Sequence, residues 1–165
     1  MEKQVTSQAE PTKTKRPTHY SKEVVEIAAR KILPEVMAWF GDGEADKDDV
    51  LEALIDAASG NPDAYEMAKK LERYSWSPDF ALCEILDNFS TYSAHTKLVK
   101  QWVAAEGVTL ALTVGQEVET KRGRGRITEL RHETAQYTVT PPDDPKFKNG
   151  GGWIIDAEDV VPVTA

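Results

Sequence analysis

Apolar residues recur at intervals of three and four from Tyr20 to Glu106, then at intervals of two from Val114 to Val163. The first spacing lines one face of a helix and the second one face of a strand, so the pattern predicts an α+β protein with its helices first. Five helices are expected, packed as one bundle. The first starts at Ser21 as N-cap, carries Val24, Ile27, Ala28, Ile32 and Val36 to Phe40, and stops at Gly41. Pro34 lies inside it and predicts a kink or break near Lys31 to Pro34, because an interior proline removes a backbone bond and clashes one turn back. The second starts at Asp46 or Lys47, shows Val50, Leu51, Leu54, Ile55 and Ala58, and stops at Gly60. The next two share a start signal, Asn61-Pro62-Asp63 and Ser77-Pro78-Asp79: a capping side chain, a proline at the first helical position, and an acid near the positive dipole end. They present Tyr65, Ala68 and Leu71, then Phe80, Leu82, Ile85, Leu86 and Phe89. The two starts lie 16 positions apart, too close to frame a repeating helix pair. A fifth helix from Ser93 to Ala105 shows Leu98, Val99, Trp102 and Val103, with Gly107 as its stop.

The alternating part predicts five short strands. Gln116 to Thr120 is followed by a turn over Lys121-Arg122-Gly123-Arg124-Gly125 and a second strand from Arg126 to Leu130. Gln136 to Thr140 ends at Pro141-Pro142, since proline cannot donate to a ladder. Trp153 to Ile155 and Val160 to Val163 complete the set around the turn Ala157-Glu158-Asp159. Five such strands with one apolar face are expected to close into a small barrel, which leaves no exposed sheet edge.

The Val118-Glu119-Thr120 strand after Gly115, the Gly123-Arg124-Gly125 turn, Ile127 two residues on, the long third loop, the Trp153 strand and the acidic turn into Val160-Val161-Pro162-Val163 together resemble an SH3-like barrel of the KOW or Tudor type. The resemblance covers about a third of the chain and does not extend to the helical part. It implies a binding module whose ligand lies across the loops between the first and second and the third and fourth strands. Those loops hold Lys121, Arg122 and Arg124, and the run from Lys146 to Gly152. Family members bind proteins, RNA or ribosomal surfaces. Tyr137, Phe147 and Trp153 do not make an evident aromatic cage for methylated side chains.

Composition narrows the chemistry. Residues 1–18 are poor in large apolar side chains and are expected to form a disordered tail, followed by an acidic helical domain over 19–107 and the barrel domain over 108–165, joined through Val108 to Thr113. No secretory signal and no membrane span is read, and a cytoplasmic protein is expected. Cys83 is the single cysteine, in a helical pattern where a small thiol fits a core. His19, His95 and His132 show no ligand spacing, and Asp42 to Asp49 imitates a calcium loop but has Lys47 where a glycine is needed and Ala53 where a closing Glu is needed. That loop is read as a cap for the second helix. Trp39, Trp76 and Trp102 are read as packing residues near helix ends. No catalytic residue, metal site or cofactor is expected.

Net charge is about +2 to Pro17, about −8 over the helical part and about −2 beyond it. Against that acidic background, Lys121, Arg122, Arg124 and Arg126 crowd into six positions, where guanidinium forks and backbone N–H groups can converge on phosphate or carboxylate. A solvated turn neutralised by Glu117, Glu119 and Glu129 is the competing account. The residues expected to contact a partner are Lys121, Arg122, Arg124, Arg126, Lys146, Lys148 and Trp153. The first functional expectation is a non-enzymatic adaptor or inhibitor that binds a macromolecule, most readily a protein, through the barrel and the acidic helical surface. A second is a nucleic-acid-associated protein that uses Lys121 to Arg126 with Lys13, Lys15 and Arg16 of the tail. A third is a phage or mobile-element protein whose acidic helices imitate nucleic acid and inhibit a host protein that binds it.

Overall fold

The computed structural model describes residues 14–60, 62–142, 144–147 and 150–163. The chain is α+β, with helices followed by a C-terminal five-stranded antiparallel sheet. It divides into two units, one over Arg16–Val99 and one that runs from Lys100 and takes in Thr14 and Lys15.

Four helices build the core of the first unit: α1 (Lys22–Phe40), α2 (Lys47–Ala57), α3 (Ala64–Leu71) and α4 (Phe80–Asp87). Ala29, Ile32 and Val36 of α1 meet Leu51 and Leu54 of α2, Met67 and Leu71 of α3, and Leu82 and Leu86 of α4 in one buried cluster. A further helix, α5 (Tyr92–Glu106), adds no residue to that cluster and continues across the boundary between the units. The five-helix bundle expected from periodicity is corrected to a four-helix core. Periodicity identifies an amphipathic helix but not the core its face will join.

Local chemistry sets the helix ends, with some displacement from expectation. The helix α1 runs unbroken through Pro34 instead of breaking there. Ser21 occupies its N-cap, but the hydroxyl accepts from the Thr18 N–H at 2.8 Å and bonds none of the first-turn amides. In both Pro-Asp starts the cap is the aspartate after the proline: Asp63 accepts from Glu66 N–H at 2.8 Å and Asp79 from Leu82 N–H at 2.9 Å. Asn61 lies outside the described residues. These helices bury the faces of Met67, Ala68 and Leu71 and of Leu82 and Leu86, and Tyr65 (63% exposed) and Phe80 (77% exposed) in their first turns face solvent, where core positions had been expected. Asp46 caps α2 by accepting from the N–H groups of Asp48 and Asp49, as the acidic-loop reading required. Gly107 ends α5 at a φ of 63°, and Val108 N–H donates back to the Val103 carbonyl, the left-handed stop that glycine permits.

The second unit contains β1 (Glu117–Thr120), β2 (Gly123–Arg131), β3 (Gln136–Thr140), β4 (Trp153–Asp156) and β5 (Val161–Pro162) in the order β4-β3-β2-β1-β5. Val118, Ile127, Tyr137, Val139, Ile155 and Val160 form its core, with Leu110 and Leu112 packed against it. The expected linker is thus part of this unit, pinned where Leu112 N–H donates to the Tyr137 hydroxyl at 3.1 Å. The strands β4 and β5 are the two edges of the sheet, and no ladder joins them among the described residues. The sheet is therefore open, which corrects the expected closed barrel. With two residues, one of them Pro162 without an N–H, β5 has little to offer a second neighbour.

Candidate functional site

The candidate site is built on the β1–β2 hairpin. Thr120 pairs with Gly123, so the turn is only Lys121-Arg122 and Gly123 already belongs to β2. The left-handed step falls on Gly123, at a φ of 119°. The Thr120 hydroxyl donates to the Gly123 carbonyl at 2.9 Å and accepts from Arg122 N–H at 3.1 Å, fixing the tip from inside. This corrects the expected five-residue loop: Arg124 and Arg126 are strand residues on the outer face, alternating with the inward Gly125 and Ile127.

Packing, not flexibility, requires Gly125. A Cβ there would lie 2.6 Å from Val139 Cγ1 and 2.9 Å from the Thr140 carbonyl oxygen.

The four basic residues separate into two kinds. Lys121 Nζ lies 2.9 Å from Asp159 Oδ1, and that hydrogen bond raises the ammonium pKa above its ordinary value. Arg126 reaches Glu117 Oε1 at 3.2 Å. Arg122 and Arg124 have no ionic or hydrogen-bonding side-chain partner among the described residues, and both are exposed. Glu119 stands opposite Arg124 in register without an ion pair to it. Glu129 is engaged elsewhere: the Thr138 hydroxyl at 2.8 Å, and after it Arg131 at 3.3 Å, hold its carboxyl below the usual range.

The aromatic element of the site comes from the segment before β4. Phe147 meets Trp153 edge-to-face at 6.3 Å between ring centroids, and Trp153 Cη2 lies 3.9 Å from the position a Cβ would take at Gly123. Trp153 is half-buried against the core, so it serves packing while one edge stays at the hairpin tip. The loop is tied down where the Thr140 hydroxyl donates to the Gly151 carbonyl at 2.6 Å. Lys146 is exposed on the short 3-10 turn Pro145–Phe147 and has no ion pair among the described residues, and Lys148 lies outside them. The structure thus brings Arg122, Trp153 and Phe147 to one end of the sheet, leaves Arg124 on the adjoining outer face, and commits Lys121 and Arg126 to internal partners.

Cys83 is partly buried against the helical core. His19 and His95, distant in sequence, stack at 3.9 Å between centroids. His19 Nδ1 lies 3.0 Å from Thr91 Oγ1, and His95 Nε2 donates to the Pro17 carbonyl at 3.2 Å. That pair fastens Pro17 and His19 to the start of α5, a contact no local spacing announces. Residues 1–13 of the expected tail lie outside the described residues; Thr14 accepts at its carbonyl from Trp102 Nε1–H at 3.1 Å. No group of three or more His, Cys, Asp or Glu is placed to hold a metal among the described residues, and no helix among them is long and apolar enough to cross a membrane.

No protein-family model, curated protein or solved structure matches the chain.

Proposed function

We propose that the protein is a non-enzymatic interaction module that binds an acidic segment of a partner protein at the end of its sheet. The observation that carries this is the division of the hairpin's charges: Lys121 and Arg126 are ion-paired within the hairpin unit, whereas the side chains of Arg122, at the tip that Trp153 approaches, and Arg124, on the outer face of β2, have no ion pair among the described residues. Arginine suits the task, since its planar fork binds carboxylate bidentately and stacks on aromatic rings. A partner that supplies both carboxylates and an apolar side chain would use all of these groups.

An SH3-like reading of the β unit is supported by three features. Its sheet places the last strand beside the first, the register shifts between Ile127 and Glu129 where β2 must bend, and residues of β4 and of the approach to β5 share one core with β1. In that reading the hairpin tip and the 145–152 segment are the two loops that face a ligand.

Affinity purification from cell extract, with and without nuclease, tests the proposal against Arg122→Ala/Arg124→Ala. A protein recovered by the wild type, retained after nuclease and lost with the double variant is the expected result. A bound fraction that disappears on nuclease treatment, or direct binding to single-stranded RNA that weakens steeply with salt, replaces the protein partner with nucleic acid. Equal recovery by wild type and variant removes the hairpin from the interface.

A further inference from the structure

A groove in the helical unit is lined by chemistry opposite to that of the hairpin. The end of α1, the connection to α2, and the segment Tyr74-Ser75-Trp76 enclose a groove of about 520 Å³. Its walls include three aromatic residues, Phe40, Tyr74 and Trp76. Two of these walls are fixed in place: Phe40 meets Trp76 edge-to-face at 4.6 Å, and Trp39 lies against both, with its indole N–H donated to Asp79 Oδ1 at 2.9 Å. The groove also has four carboxylates, Glu44, Asp46, Asp49 and Glu52, and no basic residue lines it.

Only one of those carboxylates has work of its own. Asp46 caps α2, while the Glu44, Asp49 and Glu52 side chains make no hydrogen bond or ion pair among the described residues, Glu52 acting on the Tyr74 phenol only through its charge. Asp49 and Glu52 stand three positions apart on α2, close enough to act on one ligand group. Carboxylates alone would be a solvated rim. Combined with ordered indole and phenyl walls and the Tyr74 ring in a concave space, they complement a cation that also has a flat, weakly hydrated face.

We propose that this groove receives an arginine side chain from a basic segment of a partner protein. The guanidinium plane packs on the Trp76 or Tyr74 ring while its N–H fork donates to Asp49 and Glu52. Arginine fits better than lysine because an ammonium is compact and strongly hydrated, makes no planar contact, and gives up more hydration on entry. The volume lies in the range of ordinary ligand pockets and exceeds what one side chain fills, leaving space for its flanking backbone. The site belongs to a different unit from the hairpin and stands or falls separately from it.

The test uses the full chain and two probes, acetylated and amidated hexa-arginine and hexa-lysine, followed through the indole N–H resonances in a ¹⁵N spectrum. Trp76→Phe assigns the relevant signal. Hexa-arginine is expected to move the Trp76 resonance saturably and to leave that of Trp153 in place. Asp49→Asn/Glu52→Gln, both at exposed positions, should weaken the dissociation constant by about tenfold or more with far-UV circular dichroism unchanged. Arg122→Ala/Arg124→Ala should leave it as in the wild type. Hexa-arginine binding that does not move the Trp76 resonance, or that is as tight in the acid double variant, overturns the site. Hexa-lysine binding of equal strength overturns the assignment to arginine.

Discussion

Two glycines at the candidate site illustrate how a single residue can be read correctly for position and wrongly for cause. In sequence, Gly123 and Gly125 look like paired hinges of a flexible loop. In the structure only Gly123 makes the left-handed step, and Gly125 sits in an ordinary strand conformation with the Val139 side chain and Thr140 backbone where its Cβ would be. Nothing local distinguishes them, because the obstruction at Gly125 arrives from β3. The two therefore respond differently to alanine. Gly125→Ala must push β2 away from β3 and should destabilise by about 1–3 kcal/mol, visible as a lowered midpoint in urea unfolding. Gly123→Ala meets no close backbone atom but must adopt a φ near 119°, so its cost is conformational and its effect should centre on the tip. The arginines follow the same logic. Their presence was legible, but Arg124's place on the outer face of β2 depends on a two-residue turn that the sequence Lys121 to Gly125 does not specify.

At the scale of elements, helix bodies were legible, the N-caps of α1 and α2 fell where expected, and the two Pro-Asp starts were displaced by two residues. Periodicity reads the buried stripe of α1 and α2 directly, as in Val36, Val50 and Leu54. The cap depends on which of two competent side chains finds a free amide, and in both Pro-Asp starts the later one does. Asp63→Ala should remove the bond to Glu66 N–H and cost about 1 kcal/mol, measured by thermal or urea unfolding. Asp79 has a larger role, since its carboxylate accepts from Leu82 N–H and then from the Trp39 indole, and these bonds hold its pKa below the ordinary carboxyl value. A carboxyl depressed in the folded state contributes stability above its unfolded pKa and loses it as pH falls through the folded one. Asp79→Asn is therefore expected to be less stable than wild type near neutrality, with the gap narrowing below about pH 4. A gap that stays constant from pH 7 to pH 3 would show that the charge on Asp79 does not matter.

At the scale of the molecule, the sequence separated a helical part from a strand part but not the membership of α5, whose apolar stripe resembles that of its neighbours. The groove of Phe40, Tyr74 and Trp76 was also illegible: Trp76 was read as a packing residue and Phe40 as the end of the first helix, and with Tyr74 they line one groove only when α1 and the segment after α3 come together. The described residues form two buried clusters with no residue in common, one that includes Leu54 and one that includes Ile127. Substitutions that share no packing partners act additively, and a cavity is felt chiefly by the cluster that surrounds it. Leu54→Ala and Ile127→Ala should each cost about 2–5 kcal/mol, since both side chains are almost completely buried. Hydrogen exchange followed by mass spectrometry should find the loss of protection in the first variant confined to peptides from α1 to α4, and in the second to peptides from β1 to β4. If Leu54→Ala also accelerates exchange throughout the sheet, the clusters unfold together, and contact with a basic partner at the helical groove would then stabilise the hairpin site as well.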